Sequence, residues 1–232
     1  MISRPPIVHD DPEDEVPWAL QLAIRAEKAA PPTHEAVCEA VATAVVLLLA
    51  SDEWTEQVQR WEDGRIRKLT RRARGARWDA LQALPGLTVD HLGAQVRAFP
   101  PGPVDEAPPE IAKLQVAGTD LEHGETKAPE PPYAVLVLNP KAAMSTGKAA
   151  AQSGHAAHLL FRRLPEPQRE AWLRAGAPVH LLRDVSWPEA VTRAAVTVRD
   201  AGFTEVEPGT MTAVAWLTTE LDQGQQSRFQ AG

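Results

Sequence analysis

A chain of 232 residues that is 44% apolar can bury a core of its own, as two small domains or one larger one. Its 21 prolines imply ordered parts joined by Pro-rich connections, and one cysteine, Cys38, excludes an internal disulfide and any Cys-based zinc cluster. The longest apolar run, Ala44 to Ala50, is too short to span a bilayer, and no apolar leader follows Met1, so a cytoplasmic protein without a membrane partner is expected.

The formal charge of −7 would argue against a nucleic-acid partner if it were spread evenly, but residues 133–232 carry ten Lys/Arg against nine Asp/Glu, leaving the acidity in residues 1–132. Residues 1–15 combine prolines with Asp10, Asp11, Glu13, Asp14 and Glu15, which is the composition of a disordered tail. From Trp18, Leu20, Leu22 and Ile24 alternate with Gln21, Ala23 and Arg25, predicting a strand with one face more buried. Thr33 is a good N-cap with Glu35 in the first turn, so a largely buried helix is expected to run to Ala50, with Cys38 inside it. Trp54–Trp61 reads as a second helix and Trp78–Leu84 as a third, stopped by Pro85-Gly86. Val96–Phe99 reads as a closing strand.

Between these, Arg65–Arg77 holds seven basic residues and no acid: Arg65, Arg67, Lys68, Arg71, Arg72, Arg74 and Arg77. Part of it, Arg65–Arg74, is either a strand or a short helix. The basic run is either an ordinary solvated face or a contact surface for an RNA backbone.

Residues 16–100 thus form one α/β unit. Residues 101–132, with little periodicity outside Ile111–Val116, read as a Pro-rich linker carrying one short docked element. The second unit, 133–217, is predicted as strand 133–138, helices 147–162 and 166–175, strand 179–183, helix 187–199, and strands 203–206 and 211–217, before a polar tail at 218–232. Strands alternating with helices point to an α/β sandwich.

At a constant offset of 113 positions the two units align. Leu22 meets Val135, Ile24 meets Val137, Lys28-Ala29-Ala30 meets Lys141-Ala142-Ala143, and Leu47 meets Leu160. Further on, Trp61 falls near Trp172, Gly64 near Gly176, Trp78 near Trp187, and Pro85-Gly86-Leu87-Thr88 near Ala201-Gly202-Phe203-Thr204. This reads as a diverged tandem repeat. The position of Lys148 is Glu35 in the front copy, which also lacks an equivalent of Asp200-Ala201-Gly202, so the front copy is expected to be non-catalytic.

Thr146-Gly147-Lys148 follows a strand and opens a helix, where backbone N–H groups and a cation could receive a phosphate or an oxyanion. It is not a nucleotide P-loop, because Ala142 and Ala149 stand where the cradle glycine and the metal-binding hydroxyl belong. His155 and His158 have no nearby carboxylate or thiol partners in sequence, so no metal site is expected, and there is no G-x-S-x-G nucleophile elbow. Gln152 and His155 lie four and seven residues after Lys148 on one helical face. Asp200-Ala201-Gly202 should link a helix end to a strand, and beyond the Pro208-Gly209 turn, Thr210 and Thr212 share a strand face. Each residue alone has an ordinary structural explanation as a helix cation, a turn cap or a strand former.

Residues 133–217 resemble the type-2 peptidyl-tRNA hydrolases, the archaeal and eukaryotic kind. The resemblance rests on Gly147-Lys148, Ala150-Ala151-Gln152, His155-Ala156-Ala157, Asp200-Ala201-Gly202, Thr204, Pro208-Gly209 and Thr212, in order and at matching spacing apart from one extra residue before Ser145. It implies a small mixed four-stranded sheet with helices on both faces, homodimers in the family, and hydrolysis of the ester joining a peptide, or an N-blocked amino acid, to the 3′ ribose of tRNA. No cofactor is implied. By motif position Lys148, Asp200, Thr204 and Thr212 would be catalytic, with Gly147, Gln152, His155 and Gly202 supporting or binding substrate.

An ester hydrolase of this kind must activate a water and stabilise a tetrahedral oxyanion. Asp200 and Lys148 would divide those tasks, in either order. The chain departs from the family at Phe203, usually Arg; at Glu205, usually Gln; at Ser145 and Thr146, where the loop is normally more basic; and at Ala215-Trp216-Leu217, normally glycine-rich. These changes remove positive charge beside the site, so tRNA binding is expected to draw on the front-half basic run. A front copy in the place of a dimer partner would make one chain an intramolecular pseudo-dimer. The alternative is a catalytically inactive module that binds tRNA or a protein on the same fold.

Overall fold

The computed structural model describes residues 16–201 and 205–219. The tails expected at 1–15 and 218–232 therefore lie outside the described residues, except Thr218 and Thr219. The front half runs β1 (Trp18–Arg25), α1 (His34–Leu49), α2 (Thr55–Glu62), β2 (Lys68–Ala73), α3 (Ala76–Leu81), β3 (Leu87–His91) and β4 (Ala94–Ala98). Next come a two-residue strand β5 (Gly102–Pro103) and a single turn α4 (Pro109–Ala112). The rear half runs β6 (Tyr133–Leu138), α5 (Thr146–Arg163), α6 (Glu166–Arg174), β7 (Val179–Leu181), α7 (Trp187–Arg193), β8 (Val196–Arg199) and β9 (Met211–Thr218).

The fold is mixed α/β, with two mixed sheets. The front sheet has the order β2-β1-β4-β3, with β5 added beside β1, and the rear sheet has the order β7-β6-β9-β8. In each, the first strand pairs parallel with the second and antiparallel with the last, and the last pairs antiparallel with the third. The sequence of helices and strands is the same in both halves.

The two long helices lie side by side between the sheets, α1 against β3 and β4 and α5 against β6, β8 and β9. Each also reaches the other half, α1 touching β7 and α5 touching β2. One hydrophobic core therefore runs through both halves, from Leu20, Leu22 and Ile24 through Val41, Val45, Ala149 and Leu160 to Leu136 and Ala213. Their N-termini meet where His34 Nδ1 lies 3.0 Å from Thr146 Oγ1. Further along, a Cβ added to Gly154 would sit 3.2 Å from Val45 and 3.4 Å from Val41, so the small residue lets the helices approach. The outer faces are covered too. Trp78, Leu81, Ile111 and Leu114 pack on Ala23 and Ala73, while Trp187, Ala190 and Val191 pack on Val135 and Trp216.

Several predicted elements change. β1 is buried on both faces rather than one, because α1 covers one side and α3 with α4 the other. Arg65–Arg74 resolves as strand β2, whose alternation sends Lys68 and Thr70 toward α5 and Arg71 and Ala73 toward the outer layer. The helix expected at 187–199 stops at Arg193, and Val196–Arg199 is a strand with Val196 and Val198 buried and Thr197 and Arg199 exposed. Of the strand expected at 203–206, Phe203 and Thr204 lie outside the described residues, and Glu205 and Val206 form a bend. Strand β3 has no counterpart among the predicted elements. It makes a hairpin with β4 through Leu92-Gly93, whose positive φ values of 49° and 81° match a two-residue turn.

The stretch 101–132 is more than a spacer. Ile111 and Leu114 are buried, Arg72 N–H donates to Gln115 O, and the segment then crosses both helix starts: Gly147 N–H donates to Thr119 O and His34 N–H to Glu122 O. Among the described residues no single helix is long and apolar enough to cross a membrane.

Candidate active site

The rear helix α5 is held at its start by contacts that fix Lys148. Asn139, just past β6, donates from its side chain to Met211 O and accepts from Lys141 N–H, anchoring the incoming loop. Ser145 caps the helix by accepting from Lys148 N–H at 3.3 Å. Glu205 holds Ser145 in turn, accepting from both its N–H and its hydroxyl at 2.7 Å. Thr146, fully buried, accepts from Leu121 N–H, and Thr70 of the front sheet donates to Gly147 O at 2.8 Å.

This arrangement corrects one expectation. The N–H groups of Gly147, Lys148 and Ala149 are taken by Thr119 O, Ser145 Oγ and Ser145 O. The helix start therefore offers no open row of those donors to an anion, and the cation beside it is the Lys148 side chain, paired with Asp200.

Asp200 follows a bulge at the end of β8 rather than a helix. Its backbone is clamped from both sides: its N–H donates to Thr210 O, and its C=O accepts from Gly209 N–H at 2.7 Å. Its side chain, 6% exposed, is paired through Oδ2 with the Lys148 ammonium, 52 positions away in sequence, and accepts at the same oxygen from Gln152 Nε2 at 2.9 Å. Gln152 Oε1 accepts from the buried Thr212 hydroxyl at 2.6 Å. The structure thus joins four sequence-predicted residues, Lys148, Asp200, Gln152 and Thr212, in one chain of polar contacts. Gly147 sits beneath Thr70, and Gly202 and Thr204 lie outside the described residues.

Lys148 and Asp200 open onto a cavity of about 980 Å³ between the halves. Ser145, Gln152, His155 and Ala201 line the rear wall, and Arg65–Thr70 of β2 and the loop before it line the front wall. The basic run is accordingly split. Arg65, Arg67 and Lys68 face the cavity, Arg71 is buried against Gln21 and Leu114 O, and Arg72 holds Gln115 and Gly118. Arg74 and Arg77 are exposed but do not line it, so the seven residues do not form one RNA-facing patch.

A second polar group lies at the cavity floor and joins His155, expected as a supporting residue, and Lys68 of the basic run to His158 and Glu62, a combination the sequence does not show. Lys68 Nζ, on a buried side chain, is 3.0 Å from His158 Nδ1 and 3.2 Å from His155 Nδ1, and stands over the Trp61 ring. His158 Nε2 reaches Glu62 at 2.6 Å, and Arg162 donates to the same carboxylate oxygen. Burial, reinforced by the Lys68 charge, pushes the His158 imidazole down to about 4 and His155 well below its ordinary value. Burial also holds Lys68 well below the usual lysine range, with Glu62 opposing. For Glu62 burial acts upward, but the bonds from His158 and Arg162 outweigh it and its carboxyl ends lower. The i, i+3 spacing of His155 and His158 is visible in sequence, but the lysine and carboxylate that engage them lie about 90 positions away.

At the corresponding depth of the front half, Glu35 and Glu39 are both buried. Glu35 accepts from Gly124 N–H and Arg183 and lies 2.7 Å from His123; Glu39 accepts from Leu181 N–H and lies 2.6 Å from His91. Among the described residues no group of three or more His, Cys, Asp or Glu is placed to hold a metal ion. No model of a known protein family matches the chain.

Proposed function

We propose that the chain hydrolyses the ester between a peptide, or an N-blocked amino acid, and the 3′ ribose of tRNA, in the manner of the type-2 peptidyl-tRNA hydrolases. The observation that carries this reading is the Lys148–Asp200–Gln152–Thr212 chain at the edge of the cavity, because it unites two motifs that sequence alone presents as separate. In the reaction Asp200 orients and deprotonates the attacking water. Lys148 stabilises the oxyanion that forms on the ester carbonyl, and the proton passes to the departing ribose oxygen. The products are a free carboxylate and tRNA.

In this reading the front half is a diverged copy of the rear domain and takes the place of a dimer partner. The repeated strand order and the shared core support it. The buried Glu35 and Glu39 stand at the positions of Lys148 and Gln152 and are tied to His, Arg and backbone N–H groups, which leaves the front copy without the catalytic lysine. A cytoplasmic chain that is monomeric in light scattering is expected, and a stable homodimer would refute the pseudo-dimer.

The test of function is turnover of diacetyl-lysyl-tRNA by purified protein, with Asp200→Asn and Lys148→Ala as controls. Release of tRNA lowered at least about a hundredfold in both variants supports the assignment; undiminished rates refute it. One observation favours the alternative of an inactive tRNA- or protein-binding module: Glu205, at the mouth of the site, adds negative charge where the family is usually uncharged. Tight binding without turnover by the unmodified chain would select that reading.

A further inference from the structure

The front half contributes more than a wall. Lys68 leaves β2 pointing at α5, and its amine lies within hydrogen-bond distance of the Nδ1 atoms of both His155 and His158. The two imidazoles differ at their other nitrogen. His158 Nε2 is bonded to the Glu62 carboxylate, so it carries the proton there and presents a bare Nδ1 to Lys68. His155 Nε2 has no hydrogen-bond partner among the described residues, and the ring is partly exposed and lines the cavity. A lysine held by Trp61, His158 and the Glu62 field has N–H groups for two acceptors. When it donates to both rings, His155 takes the same protonation pattern as His158.

We infer that Lys68 is a positioning residue: donated by the front half, it fixes His155 as the neutral Nε2–H tautomer and turns that N–H toward the cavity as a hydrogen-bond donor to a carbonyl or hydroxyl oxygen of the substrate. That substrate is the ester proposed above, and its part of the inference rests on the hydrolase reading; the tautomer does not. The low proton affinity of His155 agrees, since an imidazole beside a lysine in a buried site stays neutral. The other charged and titratable groups around the pair are Glu62 and Arg162 behind His158 and Lys148 about two turns earlier on the same helical face as His155. The inference also gives the front copy a chemical reason to persist after losing its own lysine at Glu35.

Long-range ¹H–¹⁵N NMR of the imidazoles in the full chain at neutral pH tests this, with His155→Gln supplying the assignment. The wild-type spectrum should show His155 as a single Nε2–H tautomer; an Nδ1–H or mixed pattern overturns the inference with no variant needed. Lys68→Met, close in length and apolar, should convert the His155 signal to a mixture and raise its apparent pKa. On diacetyl-lysyl-tRNA it should lower kcat about ten- to hundredfold with little change in KM, the size of effect seen when the partner that orients a metal-bound imidazole is removed. An unchanged His155 signature in a folded Lys68→Met protein also overturns it. Absence of turnover in the wild type would refute the hydrolase reading while leaving the tautomer result standing.

Discussion

The Lys148–Asp200 pair can be weighed by removing each member and then both. Their side chains are only 12% and 6% exposed, so neither charge is well solvated, and solvent screening removes little of their attraction. At an effective dielectric near 20, two unit charges about 4 Å apart attract by about 4 kcal/mol, against which the desolvation of both must be set. Lys148→Met leaves the Asp200 carboxylate buried with Gln152 as a remaining donor and should destabilise the fold by about 3 kcal/mol, the range for breaking a buried pair. Lys148→Met combined with Asp200→Asn removes the stranded charge while keeping an acceptor for Gln152, and should recover at least half of that loss. Urea unfolding of the four proteins gives the coupling energy directly. A value of about 2 kcal/mol is expected. Coupling below about 0.5 kcal/mol would show that the two groups do not sense each other, and would remove the physical basis for treating them as one catalytic unit.

Acid should unfold the protein over two successive, slightly overlapping ranges. His158, held at about 4 by burial against an ordinary 6.5, binds its proton less readily when folded, so stability is complete above 6.5 and is lost as pH falls toward 4. Glu39 is raised by burial but lowered more by the nearby His180 and His91 imidazoles and by the bond from Leu181 N–H, to about 2. Its contribution, about 3 kcal/mol, is complete above 4.5 and lost as pH falls from there toward 2. Glu39→Gln should flatten the lower range of a thermal-melting pH series and leave the upper one unchanged. At the helix pair, Gly154→Leu should cost about 1–3 kcal/mol in urea titration by overpacking Val41, Val45 and Lys68, whereas Gly154→Ala should be nearly neutral, because gained helix propensity offsets the tight approach. Arg65→Glu with Arg67→Glu should weaken tRNA binding and make its salt dependence shallower, by about one unit of slope for each phosphate no longer neutralised. Arg74→Glu with Arg77→Glu should do neither, since these two lie away from the cavity.

Much of this molecule is written locally. Thr33 marks α1 by capping, and the apolar runs mark β1, β6 and β9. Lys148, Gln152 and Thr212 are legible because helical and strand spacing puts them on defined faces, and Asp200 because it stands at a turn. Other features are hidden for physical reasons. The Ala-rich run after Trp187 masks the short Val-Thr-Val strand β8, whose identity depends on β9 beside it. Glu205 reads as an uncompensated charge because Ser145, its partner, lies 60 positions earlier. The seven cations read as one patch because residue order alone does not say which side of a strand each leaves.

What the sequence determined by itself is whatever depends on neighbours a few residues apart: caps, turns, helix faces and strand periods. What only the tertiary structure decided is which half supplies which wall. Lys68 reaches His155 and His158, and Thr70 reaches Gly147, because β2 packs across α5. No local rule encodes that packing, since burying the two apolar helices against each other, the event that brings the halves together, is non-directional and is resolved only by the fit of the whole core.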